Sequence, residues 1–110
     1  MDADAIRDLF APLGPVDTRR MFGGHGIYLG GRIFALEIGG EIYVKATGAL
    51  AERFREAGSR PFSYSREGKL TTMGYWALPD SATDDPEEAA GGARLSLAAE
   101  AAPPKRRRRA

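Results

Sequence analysis

The chain has 110 residues, of which 43% are hydrophobic and 28% charged, a composition typical of one globular domain and too apolar for a wholly disordered chain. Cysteine is absent, which excludes disulfides, thiolate metal sites and cysteine nucleophiles. The five cations of Lys105–Arg109 leave 11 basic against 15 acidic residues in the preceding part, which therefore has a net charge of −4. This net negative charge argues against an interpretation in which the domain binds duplex DNA through its own surface.

The apolar segments are short. None approaches the roughly 20 apolar residues that a membrane-spanning helix needs, so we expect no membrane association. The acidic start, Met1–Asp4, lacks the positive charge of a signal peptide. Both observations favour the cytoplasm.

The first predicted element is an amphipathic helix, for which Asp2 or Asp4 is available as N-cap. Its apolar stripe follows helical spacing and consists of Ile6, Leu9, Phe10 and Leu13. Gly14-Pro15 is expected to end it.

An antiparallel meander should follow, because Gly-Gly pairs at 23–24, 30–31 and 39–40 separate short segments rich in Ile, Tyr, Phe and Val. Such pairs supply the positive φ angles of two-residue hairpin turns. The predicted strands are Val16–Phe22, His25–Leu29, Arg32–Ile38 and Glu41–Lys45. Because side chains alternate between the two faces of a strand, the third strand is predicted to carry on one face Phe34, Leu36 and Ile38. In the fourth, Ile42 and Val44 share one face, and the other carries Glu41, Tyr43 and Lys45.

A second helix is predicted over Gly48–Ala57, with Thr47 as N-cap and Gly58 after its end. Pro61–Arg66 and Lys69–Leu78 then form a second hairpin that turns at Glu67-Gly68.

A third helix should start at Asp85-Pro86, because a capping carboxylate followed by proline is typical of helix N-termini. Gly91-Gly92 lies inside it, and each glycine costs about 0.5–1 kcal/mol relative to alanine. We therefore expect this helix to be short, frayed or marginally docked. Lys105–Arg109 is a run of like charges that should be disordered.

Together these elements predict a two-layer α+β domain over residues 1–102, with an antiparallel sheet packed against helices, and a disordered basic tail over residues 103–110.

An ordered series of short motifs resembles the N-terminal domain of the TfoX/Sxy competence-regulator family. The series comprises Arg19–Tyr28, Phe34–Leu36, Ile42–Lys45, Pro61–Tyr64, Met73–Pro79 and Asp85–Glu87. The resemblance implies the same two-layer α+β fold, here as a stand-alone domain. It also implies kinship with regulators of natural competence, which assist the cyclic-AMP receptor protein at atypical promoter sites.

From this we expect a regulatory or adaptor domain without enzymatic activity or cofactor, which binds a protein partner such as the transcription machinery. Neither a catalytic constellation nor a metal site is apparent in the sequence, and His25 is the only histidine. We interpret His25 as a polar residue beside a turn, and Gly23–Gly26 as a hairpin turn rather than a phosphate loop, because strand residues follow. An alternative is a small-molecule-binding or enzymatic domain that uses His25 with Tyr28, Tyr43 and Trp76.

Two basic segments are candidate contacts. The cations that attract nucleic acid non-specifically are Lys105, Arg106, Arg107, Arg108 and Arg109. Arg19 and Arg20 are neighbours on a predicted strand and should point to opposite faces, so that one could contact a protein partner. An exposed strand or aromatic face could also support a homodimer.

Overall fold

The computed structural model describes residues 1–66 and 68–101, without the side chains of residues 64–66, 69–73, 100 and 101. The α-helices in this range are α1 (Ala3–Leu9), α2 (Gly48–Glu56) and α3 (Pro86–Ala101), and a short 3₁₀ helix spans Asp80–Thr83. The strands are β1 (Asp17–Met21), β2 (Gly24–Leu29), β3 (Arg32–Ile38), β4 (Glu41–Lys45), β5 (Pro61–Arg66) and β6 (Lys69–Ala77).

The strands form one sheet in the order β1-β2-β3-β4-β6-β5, and all neighbours are antiparallel. The predicted α+β class, the four-strand meander and the second hairpin are therefore confirmed. Glu67 of the second turn and the predicted disordered tail, residues 103–110, lie outside the described residues, and the tail stays a prediction.

The meander turns are two-residue turns in which both central residues have positive φ, as at Gly30-Gly31 (59° and 82°) and Gly39-Gly40 (58° and 88°). The first turn differs from the prediction, because its central residues are Phe22 and Gly23. Gly24 is instead the first residue of β2. A Cβ there would collide with the backbone carbonyl of Glu37, so this glycine is needed for close strand packing rather than for the turn.

α1 is shorter than its apolar stripe suggests. Asp2 caps it, since its carboxylate accepts from the Ala5 amide at 2.9 Å, but the helix ends at Leu9 instead of continuing to Gly14. Pro12 explains this early end, because proline has no N–H to donate to Asp8 and its ring clashes with that turn. α2 begins after Thr47 as predicted, and Gly58 follows it with a φ of 85°.

β3 interrupts the predicted alternation of side chains. Its register with β2 shifts at Phe34, so that Phe34 and Ala35 both lie in the core beneath the helices, while Leu36 and Ile38 lie on the opposite face. The prediction that Phe34 shares a face with Leu36 and Ile38 is therefore wrong. A bulge within a continuous apolar run leaves no mark in the sequence pattern.

The sheet carries a hydrophobic cluster on each face. The larger one lies against the helices and includes Phe10 and Phe34, whose rings meet edge to face with centroids 5.3 Å apart. The smaller one buries Leu36, Phe62 and Tyr75, and none of its members lies in a helix. The residues of β4 divide between the clusters as predicted, with Ile42 and Val44 in the larger and Tyr43 in the smaller.

α3 contradicts the prediction of a short and marginally docked helix. It runs for 16 residues and begins as predicted, since the Asp85 carboxylate accepts from the amides of Glu87 and Glu88. Its small residues Ala89, Ala90, Ala93 and Ser96 are fully buried. Glycine and alanine lower helix amphipathicity in the sequence, yet they let the helix lie close to the sheet.

Ser96 fastens α3 to the sheet. Its hydroxyl lies 2.5 Å from the carbonyl oxygen of Lys45 and 3.5 Å from that of Phe34. Both carbonyls belong to strands, so that this buried side chain joins α3 to β4 and β3 and satisfies its own hydrogen-bonding need.

The two glycines of α3 should respond in opposite ways to alanine. A Cβ at Gly91 would meet no atom within 4 Å, whereas a Cβ at Gly92 would lie 2.7 Å from Leu78 Cδ2. We expect Gly91→Ala to raise the free energy of unfolding by about 0.5–1 kcal/mol. Gly92→Ala has the same gain in helix propensity, but overpacking against Leu78 costs about 1–3 kcal/mol, so we expect a net decrease of about 1 kcal/mol. Urea denaturation measures both, and equal shifts would contradict this account of the close packing.

Candidate partner-binding edge of the sheet

β1 is an edge strand that pairs only with β2 in the described sheet. Arg19 and Arg20 are both exposed on it, and the alternation of the strand sends them to opposite faces. The Arg19 guanidinium lies over the ring of Tyr28, 5.3 Å from its centroid. Both predicted contact residues are thus accessible, and their role in partner binding stays a prediction.

Phe22, directly after β1, combines backbone strain with exposure. Its φ of 53° is the only positive value at a non-glycine residue in the described part of the chain, and 42% of its surface is exposed. The left-handed conformation costs a residue with a Cβ about 1 kcal/mol, and turns of this type prefer glycine or asparagine. The sequence pattern assigned Phe22 to the end of a strand and did not reveal this strain.

The ring of Phe22 contacts Phe62, which lies on the strand at the opposite edge of the sheet. Its centroid lies 5.9 Å from that of Phe62 on β5, and Phe62 lies 5.2 Å from Tyr43 on β4. We call Phe22, Phe62 and Tyr43 the aromatic tip. β1 and β5 are opposite edges of the sheet, so the sheet must curve for this contact to form.

A polar network borders the aromatic tip. The Tyr43 hydroxyl donates to Glu41 at 2.6 Å, and Arg60 donates to the same carboxylate oxygen at 2.7 Å. The bond from Tyr43 is the main cause that lowers the pKa of Glu41, burial opposes it, and Arg60 adds to the lowering. Burial, followed by the bond to Glu41, raises the pKa of Tyr43. The Tyr43 hydroxyl therefore keeps its proton at neutral pH and donates it in the hydrogen bond to Glu41.

Behind this network, a shallow groove of about 310 Å³ separates the end of α2 from the 3₁₀ helix. Glu41 and Arg60 lie on its polar wall, and Phe54 and Leu78 contribute apolar surface. The groove is open, and two of its three charged residues, Glu41 and Arg60, already pair with each other, whereas the third is Asp80.

Near the N-terminus of α1, a buried carboxylate has three hydrogen-bond donors around it. Glu37 is 3% exposed. Its Oε1 lies 2.8 Å from Nδ1 of His25, and its Oε2 accepts from the Gly40 amide at 2.7 Å and from the Met1 ammonium at 3.3 Å. Burial by itself raises the pKa of Glu37, but the bonds from His25, Gly40 and the ammonium outweigh it and lower the pKa below its ordinary value of 4.5.

His25 therefore lies beside a turn, as interpreted from the sequence, and pairs with a residue that the sequence reasoning missed. A signal was available, since Glu37 is the one charged residue within the apolar run Ile33–Ile38. A lone acid in a strand buried on both faces needs partners.

Glu37→Gln should flatten the acid limb of the stability profile. Because folding lowers the pKa of Glu37, its ionised form stabilises the fold above about pH 4.5, and this contribution is lost as the pH falls through the lowered value. We expect the variant to lose about 2 kcal/mol at pH 7, because the donors of His25 and Met1 lose a charged acceptor. Between about pH 6 and about pH 3, the free energy of unfolding should fall less for the variant than for the parent.

Urea midpoints measured across this range test the prediction. Glu52→Gln is the matched control, since Glu52 is exposed on α2 and forms a surface ion pair with Arg55 at 2.7 Å. Parallel profiles for the parent and Glu37→Gln would contradict the role assigned to the buried carboxylate.

The alternative small-molecule site is not assembled. Tyr28 and Tyr43 lie on the face of the smaller cluster. Trp76 lies opposite Val44 in the register of β4 and β6, and His25 pairs with Glu37, so both lie on the helix-covered face. The proposed set is therefore divided between two faces, because successive side chains along a strand point to opposite faces of the sheet.

In residues 1–66 and 68–101, no three His, Cys, Asp or Glu side chains are grouped so that they could hold a metal ion. Across the same ranges, none of the helices has the length and apolar character needed to cross a bilayer. The candidate nucleic-acid contacts Lys105–Arg109 lie outside the described residues.

The family model of the TfoX N-terminal domain matches residues 8–100. The chain belongs to this family. A relative from Aliivibrio fischeri (strain ATCC 700601 / ES114), named DNA transformation protein TfoX1, is 33% identical over 64 residues, which are 58% of this chain. The alignment covers 31% of that relative, so the chain corresponds to under a third of its length. The resemblance inferred from the ordered motifs is confirmed.

Proposed function

We propose that this chain is a regulatory domain that binds a protein of the transcription machinery, and that its basic tail adds weak, non-specific attraction to nucleic acid. The observation that carries the proposal is membership of the TfoX N-terminal family over residues 8–100. The similarity to a protein named for DNA transformation supports a role in the control of DNA uptake.

The aromatic tip is the surface we assign to the partner. Phe22 occupies a turn position where glycine would relieve strain, and the residue is 42% exposed. Fold stability alone does not account for a residue that is both strained and solvent-accessible. Exposed aromatic rings anchor protein interfaces, because they bury a large apolar area with few rotatable bonds.

The surroundings of the tip suit an interface. Phe62 and Tyr43 support the Phe22 ring from below, and the ion pair of Arg60 with Glu41 lies beside Tyr43. Arg19 adds positive charge on the preceding strand, β1, on the same face of the sheet. An aromatic centre with a charged rim is the usual arrangement of protein contacts.

Phe22→Gly should separate stability from binding. Glycine removes the strain of the positive φ, about 1 kcal/mol, and loses the contact with Phe62, worth about 0.5–1.5 kcal/mol. We therefore expect a free energy of unfolding within about 1 kcal/mol of the parent, measured by urea denaturation. A loss of several kcal/mol would instead make Phe22 a core residue.

Binding is measured by biolayer interferometry of the full chain against purified cyclic-AMP receptor protein and against purified RNA polymerase. We expect the parent to bind one of them and Phe22→Gly to bind it at least about tenfold more weakly, as for an interface anchor. Leu95→Ala is the matched control, because Leu95 on α3 is similarly exposed (44%) but does not belong to the tip.

Absence of binding to both proteins would reject the transcriptional role. Equal affinities for the parent and Phe22→Gly would reject the aromatic tip as the contact surface.

The tail is tested by truncation after Ala102, with binding to a duplex DNA followed against salt concentration. Up to five phosphate contacts by Lys105–Arg109 predict DNA binding that falls steeply as salt rises and that disappears with the tail. Unchanged, salt-dependent binding after truncation would show that the tail is not the source.

A further inference from the structure

The two edges of the sheet differ in their readiness to pair with another strand. β5 starts at Pro61, which has no N–H to donate, and its register with β6 is irregular between Pro61 and Ser63. β1 contains no proline and pairs with β2 in an unbroken register from Asp17 to Met21. A regular, five-residue edge with exposed backbone is a template for a further strand.

We infer that β1 pairs antiparallel with β1 of a second copy of this chain, so that the two six-stranded sheets join around a twofold axis that passes at Thr18. This inference does not depend on the proposed regulatory function. The charges of the strand favour pairing in one register and disfavour pairing in the neighbouring registers.

Twofold symmetry limits the registers that β1 can adopt. The axis stands perpendicular to the sheet, and each register is centred on one residue, which faces its own equivalent. Residues equidistant from the centre lie opposite each other on the same face of the sheet. Within Asp17–Met21, three centres pair at least three of the five residues: Thr18, Arg19 and Arg20.

Two of these three registers oppose like charges. A centre at Arg19 or Arg20 places two arginines face to face. Like charges directly opposite destabilise a strand pair. The same charges that deter indiscriminate pairing of this edge therefore disfavour two of the three symmetric registers.

The register centred on Thr18 instead joins opposite charges. Asp17 then lies opposite the partner's Arg19, and symmetry repeats this pair on the other side of the axis. Thr18 faces the partner's Thr18, a cross-strand pair of β-branched residues that suits a sheet. Asp17 and Arg19 are both exposed, so neither must leave a buried site to form the pair.

Arg19 has to turn outward to form this pair. Its guanidinium lies over Tyr28 of β2 at 5.3 Å, whereas a partner strand would lie on the other side of β1. The pair with the partner's Asp17 therefore replaces an exposed cation–π contact, worth about 0.5–1 kcal/mol, with a charge-assisted contact between opposite charges.

A charge swap tests the inference. Sedimentation velocity of the full chain over a series of concentrations measures the dimer dissociation constant, and circular dichroism confirms that each variant is folded. Asp17→Arg and Arg19→Asp each convert two attractive pairs into two repulsive ones, so we expect each to weaken the dimer at least about tenfold. The double variant, Asp17→Arg with Arg19→Asp, exchanges the charges and should restore the dissociation constant to within about threefold of the parent.

Asp84→Arg, the same charge change on the segment before α3, is the control and should dimerise like the parent. A parent that stays monomeric at all concentrations overturns the inference. So does a dimer that the single substitutions leave unchanged, or a double variant that is no tighter than either single variant.

Discussion

The close approach of α3 to the sheet is the constraint on which the rest of this domain depends. α3 contacts α1, α2, β3, β4 and the 3₁₀ helix, and it does so through a face of alanines, one glycine and the buried hydroxyl of Ser96. Larger side chains on that face would lift the helix away and open the cluster around Phe10 and Phe34. The helix therefore gains its stability from tertiary packing more than from its own sequence.

How far the fold could be predicted follows from the range of the interactions involved. The meander was predictable because pairs such as Gly30-Gly31 dictate the local backbone, and the start of α3 because Asp85 caps it through neighbouring amides. The docking of α3 and the bulge at Phe34 depend on residues distant in sequence, so local propensity misjudged both. The candidate site was predicted in part. Arg19 and Arg20 are accessible, but the strain of Phe22 and the partners of Glu37 arise only when the strands come together.

The two faces of the sheet are stabilised in different ways, and this difference locates the surfaces available for binding. On one face the helices cover the strands. On the other, curvature brings Phe22 and Phe62 together from opposite edges, which leaves the rim of that face and the β1 edge accessible. The strain at Phe22 and the charges of Asp17 and Arg19 both lie on this accessible side, where they cost the core little.

The bonds of Ser96 also set the order in which a growing polypeptide can fold. They connect residues 62 and 51 positions apart, so the apolar surface of β3 and β4 lacks the part of its cover that α3 provides until the end of α3 has left the ribosome. During synthesis this exposed apolar strand surface is prone to aggregation and needs chaperone protection. Premature termination within α3 would release a sheet that exposes the same surface permanently, and aggregation or proteolysis would be its fate.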